Sequence, residues 1–163
     1  MTAKLIILRG NSASGKTTLA NKLAAKLPES QTLVLHQDML RRDLLHASDH
    51  EGTLAVPLIK TLAEFGRQHY QYTIIEGILR RDVYGPMLKD VAATFAPSVW
   101  QYYLDLPFEE AARRDRAKAV PFGEATLRRW WRDQDQLAGD EVLGGHSTSD
   151  LAEQIYHEVM THE

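Results

Sequence analysis

Apolar positions along the chain fall into short unbroken runs that alternate with longer stretches of helical spacing. Leu5 to Leu8 is a continuous apolar run, as a strand buried on both faces of a parallel sheet requires. Residues 15–27 follow with Leu19, Leu23 and Leu27 on one helical face, and Pro28 ends them. A second run, Thr32 to Leu35, leads into a helical stretch through Met39, Leu40, Leu44 and Leu45. Residues 52–70 carry Leu54, Leu58, Leu62 and Phe65 at helical spacing. A third strand is expected at Tyr72 to Ile75, then a helix through Tyr84, Leu88 and Val91, and a fourth strand from Val99 to Leu104. Helical segments follow at about 107–119 and 124–136, and Val142 with Leu143 makes a short fifth strand. The last helix is capped by Ser149 or Asp150 and buries Leu151, Ile155 and Val159. Strands alternating with helices predict a three-layer α/β fold on a mainly parallel sheet. With no repeat and no linker-like segment, residues 1–163 are expected to form one domain.

Composition narrows the classes. A chain of 163 residues buries roughly two-thirds of the surface its unfolded form exposes. Charged residues make up 25% and the net charge is −3, which argues against a polybasic protein built for long nucleic acids. The absence of cysteine excludes disulfides, thiolate zinc sites and cysteine nucleophiles. The opening apolar run is too short for a signal peptide or a membrane span, so no membrane partner and a cytoplasmic location are expected.

The stretch Gly10-Asn11-Ser12-Ala13-Ser14-Gly15-Lys16-Thr17-Thr18 matches G-x-x-x-x-G-K-[ST] at every fixed position, after a buried strand and before a helix. Glycines let the backbone curl so that successive N–H groups point at phosphate oxygens, and the helix N-terminus adds its positive end. Lys16 is a point charge for the β- and γ-phosphates, and the Thr17 hydroxyl is placed to ligate Mg²⁺. A chance match in a chain this long is on the order of 1%, so the stretch reads as a nucleotide cradle rather than a glycine turn beside a solvated lysine. ATP and Mg²⁺ are the expected cofactors.

No Asn-Lys-x-Asp signature for guanine and no suitably placed Asp-x-x-Gly switch is present, and the chain is short for an ATPase core with sensor elements. A compact kinase or a regulatory nucleotide-binding module remains. Ligands of open parallel sheets lie beyond the carboxyl ends of the strands. The second strand runs into His36-Gln37-Asp38-Met39-Leu40-Arg41, which sets Asp38 across the cleft from the cradle. Asp38 either orients an acceptor hydroxyl toward the γ-phosphate or caps the next helix; the residues alone leave the two readings level. Arg41 reaches the same cleft, whereas Arg42 is expected to face solvent. His36 is expected to be satisfied locally. Glu76, straight after Ile74 and Ile75 and before Gly77, either binds the acceptor, holds water around Mg²⁺, or ends the strand in solvent.

GNSASGKTT, HQDMLR and IIEGILRR, in this order, resemble the P-loop kinase branch that holds zeta toxins, chloramphenicol phosphotransferase and polynucleotide 5′-kinases. The resemblance implies a nucleoside-kinase-like fold with five parallel strands ordered 2-3-1-4-5, helices on both faces, and phosphoryl transfer to a hydroxyl. It implies that Asp38 engages that hydroxyl, that Arg41 matches an arginine of the polynucleotide kinases, and that Glu76-Gly77 matches the zeta toxins. Asp38, Arg41 and Glu76 are therefore the expected acceptor-binding residues.

After the fourth strand a helix carries Arg113, Arg114, Arg116 and Lys118, and beyond Pro121-Phe122-Gly123 comes Leu127-Arg128-Arg129-Trp130-Trp131-Arg132. Two basic helices joined by proline and glycine suit a lid over about 113–132, whose arginines neutralise charge on the transferred group. Arg114 is the expected phosphate contact, with Arg113, Lys118 and Arg128 behind it. Trp130 and Trp131 point about 100° apart on a helix, so one packs inside and the other faces the substrate. The loop from Ser48 to Gly52 and the helix after it are expected to line the acceptor pocket. The leading expectation is a kinase catalysed by Lys16, Asp38 and Arg114 that acts on a small hydroxylated molecule such as a nucleoside, sugar or antibiotic. A polynucleotide 5′ end or a nucleotide-sugar as acceptor is the alternative, and a regulatory nucleotide-binding module with little transfer activity is the third reading.

Overall fold

The computed structural model describes residues 2–162; Met1 and Glu163, the ends of the expected domain range, lie outside the described residues. Five strands form one sheet in the order β2-β3-β1-β4-β5: β1 (Lys4–Gly10), β2 (Thr32–His36), β3 (Tyr72–Gly77), β4 (Val99–Leu104) and β5 (Glu141–Leu143). Every pairing is parallel, with Arg9 opposite Gly77, Gly10 opposite Leu104, and His36 opposite Glu76. That register brings the carboxyl ends of all five strands to one edge.

Alternation along β1 decides the layers. Ile6 and Leu8 pack with Ile74, Tyr102 and Leu104 against α1 (Lys16–Ala24) and α7 (Thr148–Thr161), through Leu19, Leu23, Leu151, Ile155 and Val159. Leu5 and Ile7 pack with Leu35 and Ile75 against α3 (Ala55–His69) and α4 (Arg81–Phe95), through Ile59, Tyr84, Leu88 and Val91. The three-layer arrangement and the strand order are those expected.

Several local expectations are corrected. Helix α3 buries Ala55, Ile59, Ala63 and Gly66, whereas Leu54 and Phe65 are exposed and Leu58 and Leu62 half-buried. The reason is proximity: a Cβ on Gly66 would lie 2.3 Å from Thr73 Oγ1, so only small residues let this helix lie so close to the sheet. The stretch after β2 is a short α2 (Gln37–Met39) that widens into a π-helical turn, Leu40–Leu44, closed by Leu45 N–H on Leu40 O. Only Leu40 of its large apolar residues is fully buried. Helix α1 stops at Ala24 and turns bring Leu27 into the core. The cap of α7 is Ser147, whose hydroxyl accepts from Asp150 N–H, rather than Ser149 or Asp150.

Helices α5 (Phe108–Arg116) and α6 (Glu124–Trp130) form the basic segment, and α6 ends before the expected residue 136. Beyond it the chain is held open by side chains from β1 and the loop after it. Asn11 donates to Arg132 O at 2.8 Å and accepts from Arg132 N–H at 3.0 Å, a reciprocal pair that replaces helical bonding. Arg9, fully buried, donates to Asp140 at 2.8 Å and to Asp135 at 3.3 Å, and also to the carbonyls of Leu79 and Asp135. Its charge is thus paired and hydrogen-bonded, as burial demands. Among the described residues no helix is long and apolar enough to cross a membrane.

Candidate active site

The strand ends open a cleft of about 980 Å³. Its middle is the loop between β1 and α1. Gly15 adopts φ 93° at the start of α1, and a Cβ there would meet Arg114 Nη1 at 3.0 Å, which is why the position requires glycine. Ala13 also has a positive φ of 62°. Ser12, Ala13, Gly15, Lys16, Thr17 and Thr18 line the cleft, while Gly10 is the last residue of β1. The Ser14 hydroxyl is buried without a hydrogen-bond partner among the described residues. Asn11 faces a separate hollow and contributes its carbonyl, which accepts from Lys16 Nζ at 3.1 Å. Burial pushes the Lys16 ammonium below the ordinary lysine pKa; the charges of Glu76 and Asp38 work to raise it, and that of Lys118 to lower it.

Register then assembles a chain of three groups. Thr17 Oγ1 donates to Glu76 Oε1 at 3.0 Å, and His36 Nδ1 lies 2.8 Å from the same oxygen. His36 and Glu76 are cross-strand neighbours on β2 and β3, so the contact follows from the sheet. Glu76 is 2% exposed and its Oε2 is buried without a hydrogen bond among the described residues. With its proton on Glu76, Thr17 keeps its lone pairs free. A hydroxyl oxygen beside an unpartnered carboxylate oxygen fits Mg²⁺, a hard cation that takes few protein ligands and keeps waters and phosphate oxygens for the rest. Among the described residues there is no cluster of three or more His, Asp or Glu able to hold a metal ion.

The β2–β3 end of the cleft holds Asp38, Arg41, Arg42, Asp49, His50 and Arg80. Asp38 accepts from Arg41 at 3.1 Å and pairs with Arg42 Nε at 2.9 Å; Arg42 is solvent-exposed, as expected, and also borders the cleft. Half of the expectation for the following segment holds: Asp49 and His50 line the cleft, but no residue of α3 does. Asp49 is seated by Tyr84 Oη at 2.7 Å and Gln37 Nε2 at 3.3 Å. Burial, then Asp49, pushes the Tyr84 pKa up.

From the basic segment Arg114, Lys118, Phe122, Arg129, Trp130 and Arg132 line the cleft. Arg114 donates to Ser14 O at 3.1 Å and to Glu110 at 3.0 Å, which sets its guanidinium beside the loop. Arg113 and Arg128 do not join it; each pairs on its own helix, with Glu110 and with Glu124. Trp130 faces the cleft, and Trp131 packs edge-on to Phe108, half-buried. Sequence reasoning missed Arg9, Asn11 as a clamp, Arg80, Arg129 and Arg132. A charged residue ending the apolar run just before Gly10 was the signal for Arg9; the others had none beyond their charge.

Fold and cradle together define a P-loop protein with a kinase-type α/β core. The chain belongs to the family described as AAA domain, whose sequence model matches residues 5–137. No curated protein has a sequence that matches this chain significantly. Solved structures with the same fold include a gluconokinase from Sinorhizobium meliloti 1021 (TM-score 0.68, 12% identity, covering 98% of this chain and 93% of that one). The APS kinase CysC of Mycobacterium tuberculosis in complex with AMPPNP and APS is similar at TM-score 0.66 and 16% identity, over 98% of both chains. Shikimate kinase from Acinetobacter baumannii in complex with shikimate is similar at TM-score 0.63 and 19% identity, over 99% of this chain and 96% of that one.

Proposed function

We propose that the protein is an ATP- and Mg²⁺-dependent phosphotransferase that moves the γ-phosphoryl group of ATP onto a hydroxyl of a small acceptor. The observation that carries this reading is one continuous cleft with Lys16 and Thr17 at its centre and Asp38 toward the β2–β3 end. In this reading the acceptor oxygen attacks the γ-phosphorus and the bond to the β–γ bridging oxygen breaks. ADP leaves, and the hydroxyl proton departs along its hydrogen bond to Asp38. Lys16 and the loop N–H groups bind the phosphates, and Arg114 stabilises charge on the transferred group. Thr17 and Glu76 would hold Mg²⁺, which when bound would neutralise phosphate charge; His36 orients Glu76. Helices α5 and α6 act as a lid.

The alternative roles of Asp38 differ in what its loss does. As a hydroxyl-orienting acid, Asp38→Asn lowers kcat for acceptor phosphorylation about 100-fold or more, within the range of general-base effects, while ATP affinity stays within about twofold. Helix capping is not its role, because the N-cap of α2 is His36 and Asp38 lies within the helix, paired with Arg41 and Arg42; an unchanged kcat alongside a lowered melting temperature would reduce Asp38 to that ion-pair role. Similar structures named as kinases of gluconate, APS and shikimate support a small acceptor.

A further inference from the structure

The cleft is basic in a chain whose net charge is −3: eight arginines and lysines line it against three carboxylates. Lys16, Arg114 and Lys118 belong with the triphosphate by their place around the loop and α5. The surplus lies elsewhere, around Asp38. Like charges gathered around a concave surface repel one another, and an anion that joins them relieves the repulsion.

Which guanidinium groups have donors to spare follows from their bonds. Arg41 is occupied by Asp38 and the Ala47 carbonyl, with Asp49 at 3.6 Å, and Arg80 by both oxygens of Asp82 and the Asp49 carbonyl. These two build the wall. Arg42 offers only Nε to Asp38, leaving both terminal nitrogens unbonded among the described residues, and its side chain is 46% exposed. Arg129 makes no hydrogen bond or ion pair among the described residues, yet it lines the cleft. Arg132 has only long contacts, 3.3 Å to Asp82 and 3.5 Å to Asp135. Its place is not accidental: the Asn11 clamp fixes its backbone, and buried Arg9 anchors Asp135 and Asp140 just beyond. Arg42 and Arg129, from two separate segments, thus reach one cleft with both terminal nitrogens unpaired among the described residues, and Arg132 adds Nη1 beside its long contacts, donors of the kind that suit oxyanions.

We infer that the acceptor is itself an anion: a small molecule with a phosphate, sulfate or carboxylate group beside its reacting hydroxyl, held by Arg42, Arg129 and Arg132. The word acceptor rests on the transfer reading above; the oxyanion site is testable without transfer. Protein saturated with Mg–AMPPNP, so that the loop is filled, is titrated by calorimetry with matched pairs: glucose 6-phosphate and gluconate against glucose, and AMP against adenosine. At least one charged member binds saturably and at least tenfold tighter than its neutral partner. Arg42→Gln combined with Arg129→Gln, both exposed positions, weakens that binding at least tenfold with an unchanged melting temperature. Equal affinity within every pair, no binding by any charged member, or the same affinity in the double variant overturns the inference. Binding of a single-stranded oligonucleotide where no small anion binds overturns it as well, in favour of a polymeric acceptor. ATP turnover on the same panel is read separately. Transfer to neutral molecules alone would sink the anion site and leave the kinase reading standing, whereas a bound anion that is never phosphorylated would do the reverse.

Discussion

Lys16 is 9% exposed and donates to the carbonyl of Asn11. Burial lowers its pKa below 10.5, against the pull of Glu76 and Asp38. An arriving triphosphate favours the charged ammonium and raises that pKa again. Nucleotide binding is therefore coupled to proton uptake once the pH reaches the lowered value, and affinity falls as pH rises through it. Calorimetry over a series of pH values rising toward 10.5, in buffers of different ionisation enthalpy, is expected to show proton uptake on binding Mg–ATP within the series, and Lys16→Arg to abolish it. No buffer dependence in the wild type would contradict this. At this scale the cradle was legible because its chemistry demands fixed residue types at fixed spacing. Glu76 was legible only as a carboxylate at the strand end. Its sharing with Thr17 and His36 depends on the register of β2 with β3, which no local pattern encodes.

Between α5 and α6 the chain turns on one carboxylate. Asp115, 1% exposed, accepts from Phe122 N–H at 3.0 Å and Gly123 N–H at 2.9 Å. Burial works to raise its pKa, but the two backbone bonds and Lys118 hold it below the ordinary 3.8. A depressed acid contributes stability above its unfolded pKa and loses it as pH falls through the folded one, so the turn stays intact until below pH 3.8. Asp115→Asn is expected to cost about 1–2 kcal/mol and to speed amide exchange at Phe122 and Gly123 at neutral pH. Unchanged exchange there would remove Asp115 from the turn. Elements with large apolar stripes, such as α7, were read correctly. Helix α3 was not, because apart from Ile59 its buried side is made of the small residues Ala55, Ala63 and Gly66, while Leu58, Leu62 and Phe65 are half-buried or exposed. The early end of α6 escaped notice because what stops it is Asn11, 121 residues away.

Across the molecule, the layers follow from alternation on β1, and the strand order followed from a resemblance rather than from periodicity. What sequence could not supply is the link from Arg9 and Asn11 to residues 132–140, which ties the phosphate loop to the segment that carries Arg132. In the proposed reading that link joins the nucleotide and acceptor sites around a single cleft, as transfer between two bound molecules needs. The most direct test is to supply ATP carrying heavy oxygen in its γ-phosphoryl group with a panel of anionic and neutral alcohols, and to weigh the products. The account predicts an acceptor heavier by one labelled phosphoryl group, formed by the wild type and lost in both Lys16→Ala and Asp38→Asn. Label found only in inorganic phosphate, released at a rate indifferent to every acceptor, would contradict it.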